Sequence, residues 1–322
     1  MRVLSGRTAF VTGAASGIGL ALTRALLDEG MTVAAADRDA TALERATEGL
    51  GGPDRLLTLP LDVTDRAAMA SARDATLAAF GAADLLCNNA GVGGGAPIHQ
   101  ADFEDWDWML GINVGGVING IVTFLPALRE RPEAHILNTA SLAGLYNCGD
   151  PAFGIYTVGK IAVRTLSESL RWALRDEGIG VTALCPGFVR TGIARTGRLH
   201  PAVLSGRREP DVRTEVMMEG AMAAVGMDPA DVARIAIDAI RRDHLYAITH
   251  PEFAPAAAEY AAILADAFSE AGGGSNEDAV RPLTAIREAE RSHGGPGQRR
   301  AVIAASSSRI AESRRTRPCT AF

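Results

Sequence analysis

The sequence predicts an α/β fold in which a doubly wound, seven-stranded parallel sheet is flanked by helices. Three observations support this. Short apolar runs alternate with stretches of helical periodicity along most of the chain, a pattern typical of a parallel sheet covered on both faces. Near the N-terminus, an apolar run passes through a glycine-rich turn into a helical stretch. The next apolar run ends in an acidic residue, Asp37.

The strands are predicted from seven apolar runs, each followed by a turn or a helical stretch. They lie near residues 8–12, 32–36, 56–59, 84–88, 134–139, 181–185 and 245–249. No internal repeat is visible, and 322 residues suffice for one large domain with a well-buried core. We therefore expect a single sheet rather than an array of repeats.

The turn after the first strand has the composition of a loop that binds the phosphates of a dinucleotide. It reads Thr12-Gly-Ala-Ala-Ser-Gly-Ile-Gly19. Glycines let the backbone approach a pyrophosphate, and the following helix offers its free N–H groups. Asp37 comes 18 residues after Gly19, close to the roughly 20 expected for the acid that binds a ribose. An ordinary glycine turn with a surface aspartate is the alternative, but the order of the elements favours a Rossmann-type domain.

Tyr156 and Lys160 are the strongest catalytic candidates. Residues four apart on a helix lie on one face, so a phenol and an ammonium would share one space. Tyrosine titrates near about 10, and a nearby positive charge is predicted to lower that pKa. Hydride transfer between an alcohol and a ketone needs one group that exchanges a proton and another that orients the oxygen. We assign the first role to Tyr156 and the second to Ser141.

Taken together, the motifs resemble the classical short-chain dehydrogenase/reductase family from about Ser5 to Glu252. The glycines are spaced Gly-x-x-x-Gly-x-Gly, unlike the common dinucleotide fingerprint. The motifs are Gly13, Gly17 and Gly19, Asn88-Asn-Ala-Gly91, Asn113, Asn138-Thr-Ala-Ser141, Tyr156-x-x-x-Lys160 and Pro186-Gly187. The resemblance implies that Asn113 positions a water beside Lys160, which also holds the ribose of the nicotinamide. The catalytic set is then Asn113, Ser141, Tyr156 and Lys160.

The resemblance also implies a set of cofactor contacts. Asp62 and Val63 would meet the adenine, and Asn89 to Gly91 would pass close to the cofactor. The residues after the sixth strand would flank the carboxamide and pyrophosphate. The full predicted set is Gly13, Ser16, Gly17, Ile18, Gly19, Asp37, Arg38, Asp62, Val63, Asn89, Ala90, Gly91, Tyr156, Lys160, Pro186, Gly187, Val189 and Thr191.

The charges near the second strand favour NAD over NADP. Asp37 can accept two hydrogen bonds from ribose hydroxyls, whereas a 2′-phosphate would be repelled by the carboxylate. Ser16 stands where many NADP-preferring relatives have a basic residue. Arg38 is the counter-argument, because an arginine there often grips the 2′-phosphate. NAD is therefore predicted, with NADP as the alternative.

We predict three segments. Residues 1–252 form the NAD(P)-binding catalytic domain, within which 192–226 form a substrate lid. Residues 253–290 form a helical extension. Residues 291–322, rich in Arg, Ser and Gly, form a disordered tail.

Two stretches are predicted to border the substrate. An apolar pocket lining is expected from Leu142, Leu145, Tyr146, Cys148, Pro151 and Phe153. The arginines at 190, 195, 198, 207 and 208 either attract an anionic substrate group or are solvated beside the acids that follow, Glu209, Asp211 and Glu215. We favour the second interpretation.

Composition narrows the functional classes. A net charge of −6 gives no general affinity for nucleic acid. No signal-peptide pattern and no apolar run of about 18 residues is present, so we expect no membrane partner. The four cysteines have neither pairing nor metal-ligand spacing. We expect no metal and a reduced, cytoplasmic setting.

These residues predict an NAD-dependent oxidoreductase that acts on a secondary alcohol or its ketone, on a small or medium, mostly apolar substrate. One alternative is an NADPH-dependent ketoreductase. Another is a catalytically silent nucleotide-binding scaffold, although such proteins commonly lose the tyrosine, lysine or serine retained here. A homotetramer or homodimer is implied by the resemblance. Ile161, Leu166, Leu170 and Leu174 would serve either the core or the subunit contact.

Overall fold

The structure, a computed structural model, describes residues 1–147 and 149–270. Met1–Tyr260 form one compact unit, and a second unit begins at Ala261. The predicted tail over 291–322, the predicted helical extension beyond Glu270 and the predicted pocket residue Cys148 lie outside the described residues.

Seven parallel strands form the sheet, and each predicted strand is confirmed to within two residues at either end. They are β1 (Thr8–Thr12), β2 (Thr32–Asp37), β3 (Leu56–Pro60), β4 (Leu85–Asn88), β5 (Ala134–Thr139), β6 (Ile179–Cys185) and β7 (Tyr246–Ile248). Their order is β3-β2-β1-β4-β5-β6-β7. The predicted doubly wound α/β fold is therefore confirmed.

The described helices connect and cover these strands. They are α1 (Gly17–Asp28), α2 (Ala40–Thr47), α3 (Arg66–Phe80), α4 (Phe103–Leu110), α5 (Gly116–Arg129), α6 (Gly154–Leu174), α7 (Pro201–Leu204), α8 (Val212–Val225), α9 (Pro229–Arg242) and α10 (Ala254–Glu270). A π-helical turn, Gly111–Gly115, joins α4 to α5. Short 3₁₀ turns lie at Leu142–Gly144, Pro151–Phe153, Ile193–Leu199 and Pro251–Phe253.

The core has two halves, one on each face of the sheet. Because side chains alternate along a strand, Ala9 and Val11 join the cluster packed under α1 and α9. Phe10 between them joins the opposite cluster, under α3, α5 and α6. There its ring packs on Phe124, with centroids 4.3 Å apart. Burial on both faces explains why the inner strands β1, β4, β5 and β6 are mostly apolar.

One helical segment is longer and more apolar than the sequence pattern suggested. Residues Phe103–Arg129 run as 27 continuous helical residues and contain a stretch apolar enough, by composition, to cross a membrane. Half of that stretch is buried inside the protein. Phe124 and Leu128 are fully buried in the core, so we assign the segment to the packed interior of the domain.

Candidate active site

A cleft of about 1030 Å³ lies at the carboxyl ends of the strands. The strand order reverses between β1 and β4, and open α/β sheets bind ligands at such a switch point. The volume is at the upper end of the roughly 300–1000 Å³ typical of ligand pockets. It therefore offers room for an elongated ligand and a second, smaller molecule.

One end of the cleft is the glycine turn between β1 and α1. Gly13 and Gly17 adopt φ angles of 69° and 52°, which side chains rarely tolerate. A Cβ at Gly13 would lie 2.9 Å from the Cα of Ala90. Ser16, at the N-cap of α1, makes no side-chain capping bond, so its hydroxyl does not occupy the first N–H groups of the helix. This glycine cradle fits a phosphate group held by backbone N–H groups.

Asp37 closes the same end of the cleft at the tip of β2. One carboxylate oxygen accepts a hydrogen bond from the N–H of Ala15 (3.1 Å), and the other accepts from the N–H of Asp39 (3.1 Å). These bonds fix the carboxylate beside the glycine turn. Arg38 is exposed at the edge of the cleft and forms no ion pair within the described part of the chain. A carboxylate held in this way suits a ribose diol.

The middle of the cleft is organised by the segment after β4. The hydroxyl of Thr12 accepts hydrogen bonds from the N–H groups of Asn89 and Ala90, both at 3.0 Å. Gly91 then passes close to the catalytic candidates, because a Cβ there would lie 2.9 Å from Oδ1 of Asn113. Only glycine allows this segment to lie so close to the site.

Tyr156 and Lys160 lie on the face of α6 that borders the cleft, as their spacing predicts. Nζ of Lys160 lies 5.5 Å from the centroid of the Tyr156 ring and donates a hydrogen bond to the carbonyl oxygen of Thr139 (2.9 Å). Lys160 is 3% exposed, and burial lowers its pKa from 10.5 to about 8. It is also the only lysine of the chain.

The prediction that the pKa of Tyr156 is lowered by Lys160 is wrong. Burial raises the pKa of Tyr156 above its ordinary value, and a hydrogen bond with Ser141 opposes that rise only in part. Burial penalises the phenolate and the ammonium alike. The site therefore favours neutral Tyr156, which is the form that donates a proton.

Ser141 lies two residues after the end of β5 and caps the 3₁₀ turn Leu142–Gly144. Its Oγ accepts a hydrogen bond from the N–H of Ala143 (3.1 Å) and donates a long one to the carbonyl oxygen of Pro186 (3.4 Å). Because the second bond is long, it is weak. The hydroxyl is thus placed to turn towards Tyr156 or towards an oxygen of a bound molecule.

Asn113 lies in the π-helical turn between α4 and α5, and such turns are frequent at functional sites. Its Oδ1 accepts from the N–H of Val92 (2.8 Å), while Nδ2 donates to the carbonyl of Val92 (2.9 Å). The side chain is 1% exposed and fixes the segment after β4 from behind the cleft. Its predicted part in proton relay stays a prediction.

The segment predicted as a lid, residues 192–226, contains the 3₁₀ turn, α7 and α8 and borders the substrate end of the cleft. The four arginines of this segment singled out in the sequence, and Arg190 just before it, each form an ion pair. The pairs are Arg190–Asp228, Arg195–Glu219, Arg198–Glu215, Arg207–Glu104 and Arg208–Asp105. The interpretation that these arginines await an anion is therefore not favoured. Of the three acids expected beside them, Glu215 is a partner.

The lid is tied to α4 through a buried carboxylate. Asp105, 1% exposed, pairs with Arg208 and lies 3.2 Å from Nε2 of His200. Burial by itself would raise the pKa of Asp105. Hydrogen bonds from Arg208 and from the backbone of Asp102 together outweigh burial, so the pKa of Asp105 lies below its ordinary value. Burial lowers the pKa of His200 against the opposing pull of Asp105. An ionised Asp105 therefore anchors the lid.

The structure brings nearly all the predicted site residues to the cleft wall. The two exceptions are Gly19, which packs against the glycine turn, and Asn113. Of the predicted apolar pocket residues, Leu142, Tyr146 and Phe153 line the cleft. Leu145 packs in the core instead, and Pro151 is exposed at the start of a 3₁₀ turn.

Sequence reasoning missed residues that act through others. Thr12 organises the segment after β4, and Asp105 anchors the lid. The sequence does indicate a local role for Asp105, because Asp102 and Asp105 have the spacing of the capping box that they form at the start of α4. The lid partners of Asp105 lie about a hundred residues away, and no local pattern could have identified them.

Comparison with known proteins adds three findings. The sequence profile of the short chain dehydrogenase family matches residues 7–201. The Cα-dehydrogenase of a Sphingobium species is 34% identical over 258 residues, which cover 78% of this chain and 83% of that protein. The NADP-dependent (R)-specific alcohol dehydrogenase of Lentilactobacillus kefiri is 34% identical over 191 residues, 58% of this chain and 75% of that protein.

A solved structure has the same architecture. It is a short chain dehydrogenase/reductase from Burkholderia phymatum in complex with NAD, which is 35% identical. It superposes with a TM-score of 0.73 over 80% of this chain and 93% of that one.

Proposed function

This chain belongs to the short-chain dehydrogenase family of oxidoreductases, and we propose that it transfers a hydride between NAD and a secondary alcohol or its ketone. The observation that carries the proposal is the convergence of Tyr156, Ser141 and Lys160 on a cleft whose other end is a glycine cradle closed by a carboxylate. When bound, the nicotinamide would accept or supply the hydride. The protein's own residues then handle the proton and the position of the oxygen.

Tyr156 exchanges the proton with the substrate oxygen. In ketone reduction, its hydroxyl donates the proton to the oxygen that gains negative charge, and Ser141 holds that oxygen in place. In alcohol oxidation, the phenolate takes the proton back. The burial that raises the pKa of Tyr156 favours the protonated phenol, the form that ketone reduction uses.

Lys160 supports both the tyrosine and the cofactor. Its ammonium lies on the same side of α6 as the phenol and is held by the carbonyl of Thr139. From there it stabilises the phenolate during oxidation and is placed to donate hydrogen bonds to ribose hydroxyls. Asn113 keeps the neighbouring segment of Val92 in place.

Asp37 supports the choice of NAD. Its carboxylate is anchored by two backbone N–H groups and would repel a 2′-phosphate. The relatives do not decide the matter, because one is named for NADP and a neighbouring structure holds NAD. An exposed Arg38 beside the carboxylate is the observation that favours the second candidate, an NADPH-dependent ketoreductase.

The substrate is proposed to be neutral and largely apolar. Leu142, Tyr146 and Phe153 line the cleft together with Met218 and Met222 of the lid. Four arginines of the lid, at 195, 198, 207 and 208, are engaged with carboxylates of the protein. An anionic substrate group that bound one of these four would have to displace its partner.

Homo-oligomerisation is supported by apolar side chains on the outer faces of α5 and α6. Val122 is 68% exposed, and Ile118 and Val158 are both 41% exposed. Large exposed apolar side chains clustered on helices are typical of subunit contacts. Three of the residues first considered for that contact pack inward: Leu166 and Leu170 lie against the core, and Leu174 is buried in it.

The experiment that tests this proposal measures the dissociation constants of NAD and NADP by calorimetry, then screens neutral secondary alcohols and ketones for a change in reduced-cofactor absorbance. We expect tighter NAD binding and turnover with an apolar substrate. Asp37→Ala should weaken NAD binding by about 10–100-fold, the value of hydrogen bonds to a charged group, and improve NADP binding. Asp39→Asn, which keeps the cap of α2, is the matched control.

Three outcomes separate the candidates. Preferential NADP binding by the unmodified protein would transfer the cofactor role to Arg38 and favour the ketoreductase. Binding without turnover of any alcohol or ketone would favour the scaffold. Equal effects of Asp37→Ala and Asp39→Asn would contradict the assigned role of Asp37.

A further inference from the structure

One peptide unit, between Pro186 and Gly187, connects the catalytic serine to the end of β7. Its carbonyl oxygen accepts hydrogen bonds from Oγ of Ser141 (3.4 Å) and from the N–H of Leu142 (2.9 Å). The N–H of the same peptide unit belongs to Gly187 and points in the direction opposite to the carbonyl. Because a peptide unit is planar and rigid, the direction of the N–H fixes the direction of the carbonyl.

The N–H of Gly187 is held by two consecutive residues that directly follow β7. It donates to Oγ1 of Thr249 (3.1 Å) and to Nδ1 of His250 (3.2 Å). Both side chains are buried, with 2% and 6% of their surfaces exposed. A buried donor that is shared by two buried acceptors is strongly fixed in direction.

The two side chains also hold each other. Oγ1 of Thr249 and Nδ1 of His250 are 2.6 Å apart. Since the N–H of Gly187 can only donate, both atoms serve as its acceptors, and the threonine hydroxyl hydrogen is left to point at Nδ1. This arrangement assigns the ring hydrogen of a neutral His250 to Nε2.

The contact also explains the glycine. A Cβ at Gly187 would lie 2.7 Å from Nδ1 of His250. A side chain at this position would push the histidine away and turn the peptide unit. Glycine is therefore needed at position 187 because His250 lies so close to the backbone, and not because of a special backbone angle.

Ser141 has one hydroxyl hydrogen and more than one acceptor for it. It points to the carbonyl of Pro186 at the long distance of 3.4 Å, and Ser141 also lowers the pKa of Tyr156 through a hydrogen bond that opposes the effect of burial. A small rotation of the Pro186–Gly187 unit in one direction would strengthen the hydrogen bond between the Ser141 hydroxyl and the Pro186 carbonyl, so that the hydroxyl could no longer bind the substrate oxygen. A rotation in the other direction would break that bond and leave the hydroxyl without a fixed direction.

We propose that Thr249 and His250 are positioning residues for catalysis. By fixing the Pro186–Gly187 peptide unit, they hold the carbonyl of Pro186 at a long distance from Oγ of Ser141, so that the hydroxyl is bound only weakly and can turn to the substrate oxygen. This inference rests on the proposed function, since it needs Ser141 to act on a substrate. Neither residue touches the reacting atoms in this role; both act through the peptide unit.

The test compares deletion of each acceptor with its conservative replacement. Thr249→Val and His250→Leu remove an acceptor, whereas Thr249→Ser and His250→Asn retain one. With NADH and the best ketone from a panel that includes acetophenone and cyclohexanone, we expect the deletions to lower kcat by about 10–100-fold, as misplacement of a catalytic group does. The retaining variants should stay within about threefold of the unmodified enzyme, and the dissociation constant of NADH should not change.

A double-variant comparison separates positioning from a general structural role. In a Ser141→Ala background, Thr249→Val should lower the remaining kcat no further, because the group it positions is gone. A further loss of the same size in that background would overturn the inference. Weaker NADH binding with unchanged kcat would also overturn it, because the pair would then support the cofactor.

Failure of the proposed function has a different signature. If the unmodified protein turns over no alcohol or ketone, both the proposed function and this inference are overturned. If the unmodified protein is active and all four single variants match it, only this inference is overturned.

Discussion

Replacing Lys160 with methionine should make the protein more stable at neutral pH while it abolishes turnover. Methionine has nearly the shape of lysine and no charge. The ammonium is 3% exposed, and burial lowers its pKa from 10.5 to about 8. That difference corresponds to a destabilisation of the native state by about 3 kcal/mol at pH 7. The variant also loses the hydrogen bond to Thr139, which destabilises it by about 1–2 kcal/mol. We therefore expect its free energy of unfolding to exceed that of the unmodified protein by about 1–2 kcal/mol.

The pH dependence fixes the sign of this effect. Below about pH 8 the lysine is charged in both folded and unfolded chains, and the cost of burying it is present in full. Between about pH 8 and 10.5 the unfolded chain binds the proton more strongly, so the stability of the unmodified protein rises with pH. Above 10.5 the cost vanishes, and the unmodified protein should be the more stable of the two because it keeps the hydrogen bond.

Two assays follow. Urea denaturation at several pH values gives the difference in the free energy of unfolding. Because Lys160 is the only lysine, NMR of protein carrying isotope-labelled lysine gives one side-chain signal, whose titration reports its pKa directly. A pKa near 10.5, or a Lys160→Met variant that is less stable at every pH, would refute the reasoning.

Three further predictions concern the glycine turn, the lid and the subunit surface. In Gly19→Ala, the new Cβ would clash with the carbonyl of Gly13. Because such overpacking costs about 1–3 kcal/mol, NAD should bind at least about tenfold more weakly, and unchanged binding would contradict the packing argument. Arg208→Ala leaves the buried carboxylate of Asp105 without its arginine partner and should lower the free energy of unfolding, measured by urea denaturation, by about 1.5–3 kcal/mol. Arg207→Ala breaks an exposed pair and should lower it by at most about 1 kcal/mol. Equal losses would contradict the role of Asp105 as an anchor. Val122→Glu should shift the mass measured by light scattering towards the monomer, and an unchanged mass would contradict the proposed subunit face.

The sheet was predictable because its strands carry a strong local signal. Strands β1, β2, β4, β5 and β6 are largely buried on both faces, so each appears in the sequence as a short, nearly continuous apolar run. The catalytic pair was predictable for a similar reason. A separation of four residues on a helix determines that Tyr156 and Lys160 share a face, whatever surrounds them.

The electrostatics of the site were not predictable from spacing. The sequence indicates that an ammonium lies near a phenol, but it does not give the depth at which the pair is buried. In the structure, burial dominates and raises the pKa of Tyr156. The sign of a pKa shift depends on the balance of desolvation and charge, and desolvation is a property of the packed tertiary structure.

Long-range partners were also beyond the sequence. Arg208 and His200 meet Asp105 across about a hundred residues, and Thr249 with His250 meets Gly187 across more than sixty. Each contact joins a loop to an element that the sheet topology brings beside it. Such pairs emerge only when the order of the strands is known.

The most direct test of the central claim measures proton transfer by Tyr156 separately from cofactor binding. Tyr156→Phe removes one oxygen and keeps the ring in its place on α6. The account predicts that this variant binds NAD with the affinity of the unmodified protein, measured by calorimetry, and that its turnover of the best alcohol from the screen falls by at least about 100-fold, the contribution of a positioned acid–base group. Full turnover by Tyr156→Phe would contradict the assignment and require another residue to exchange the proton.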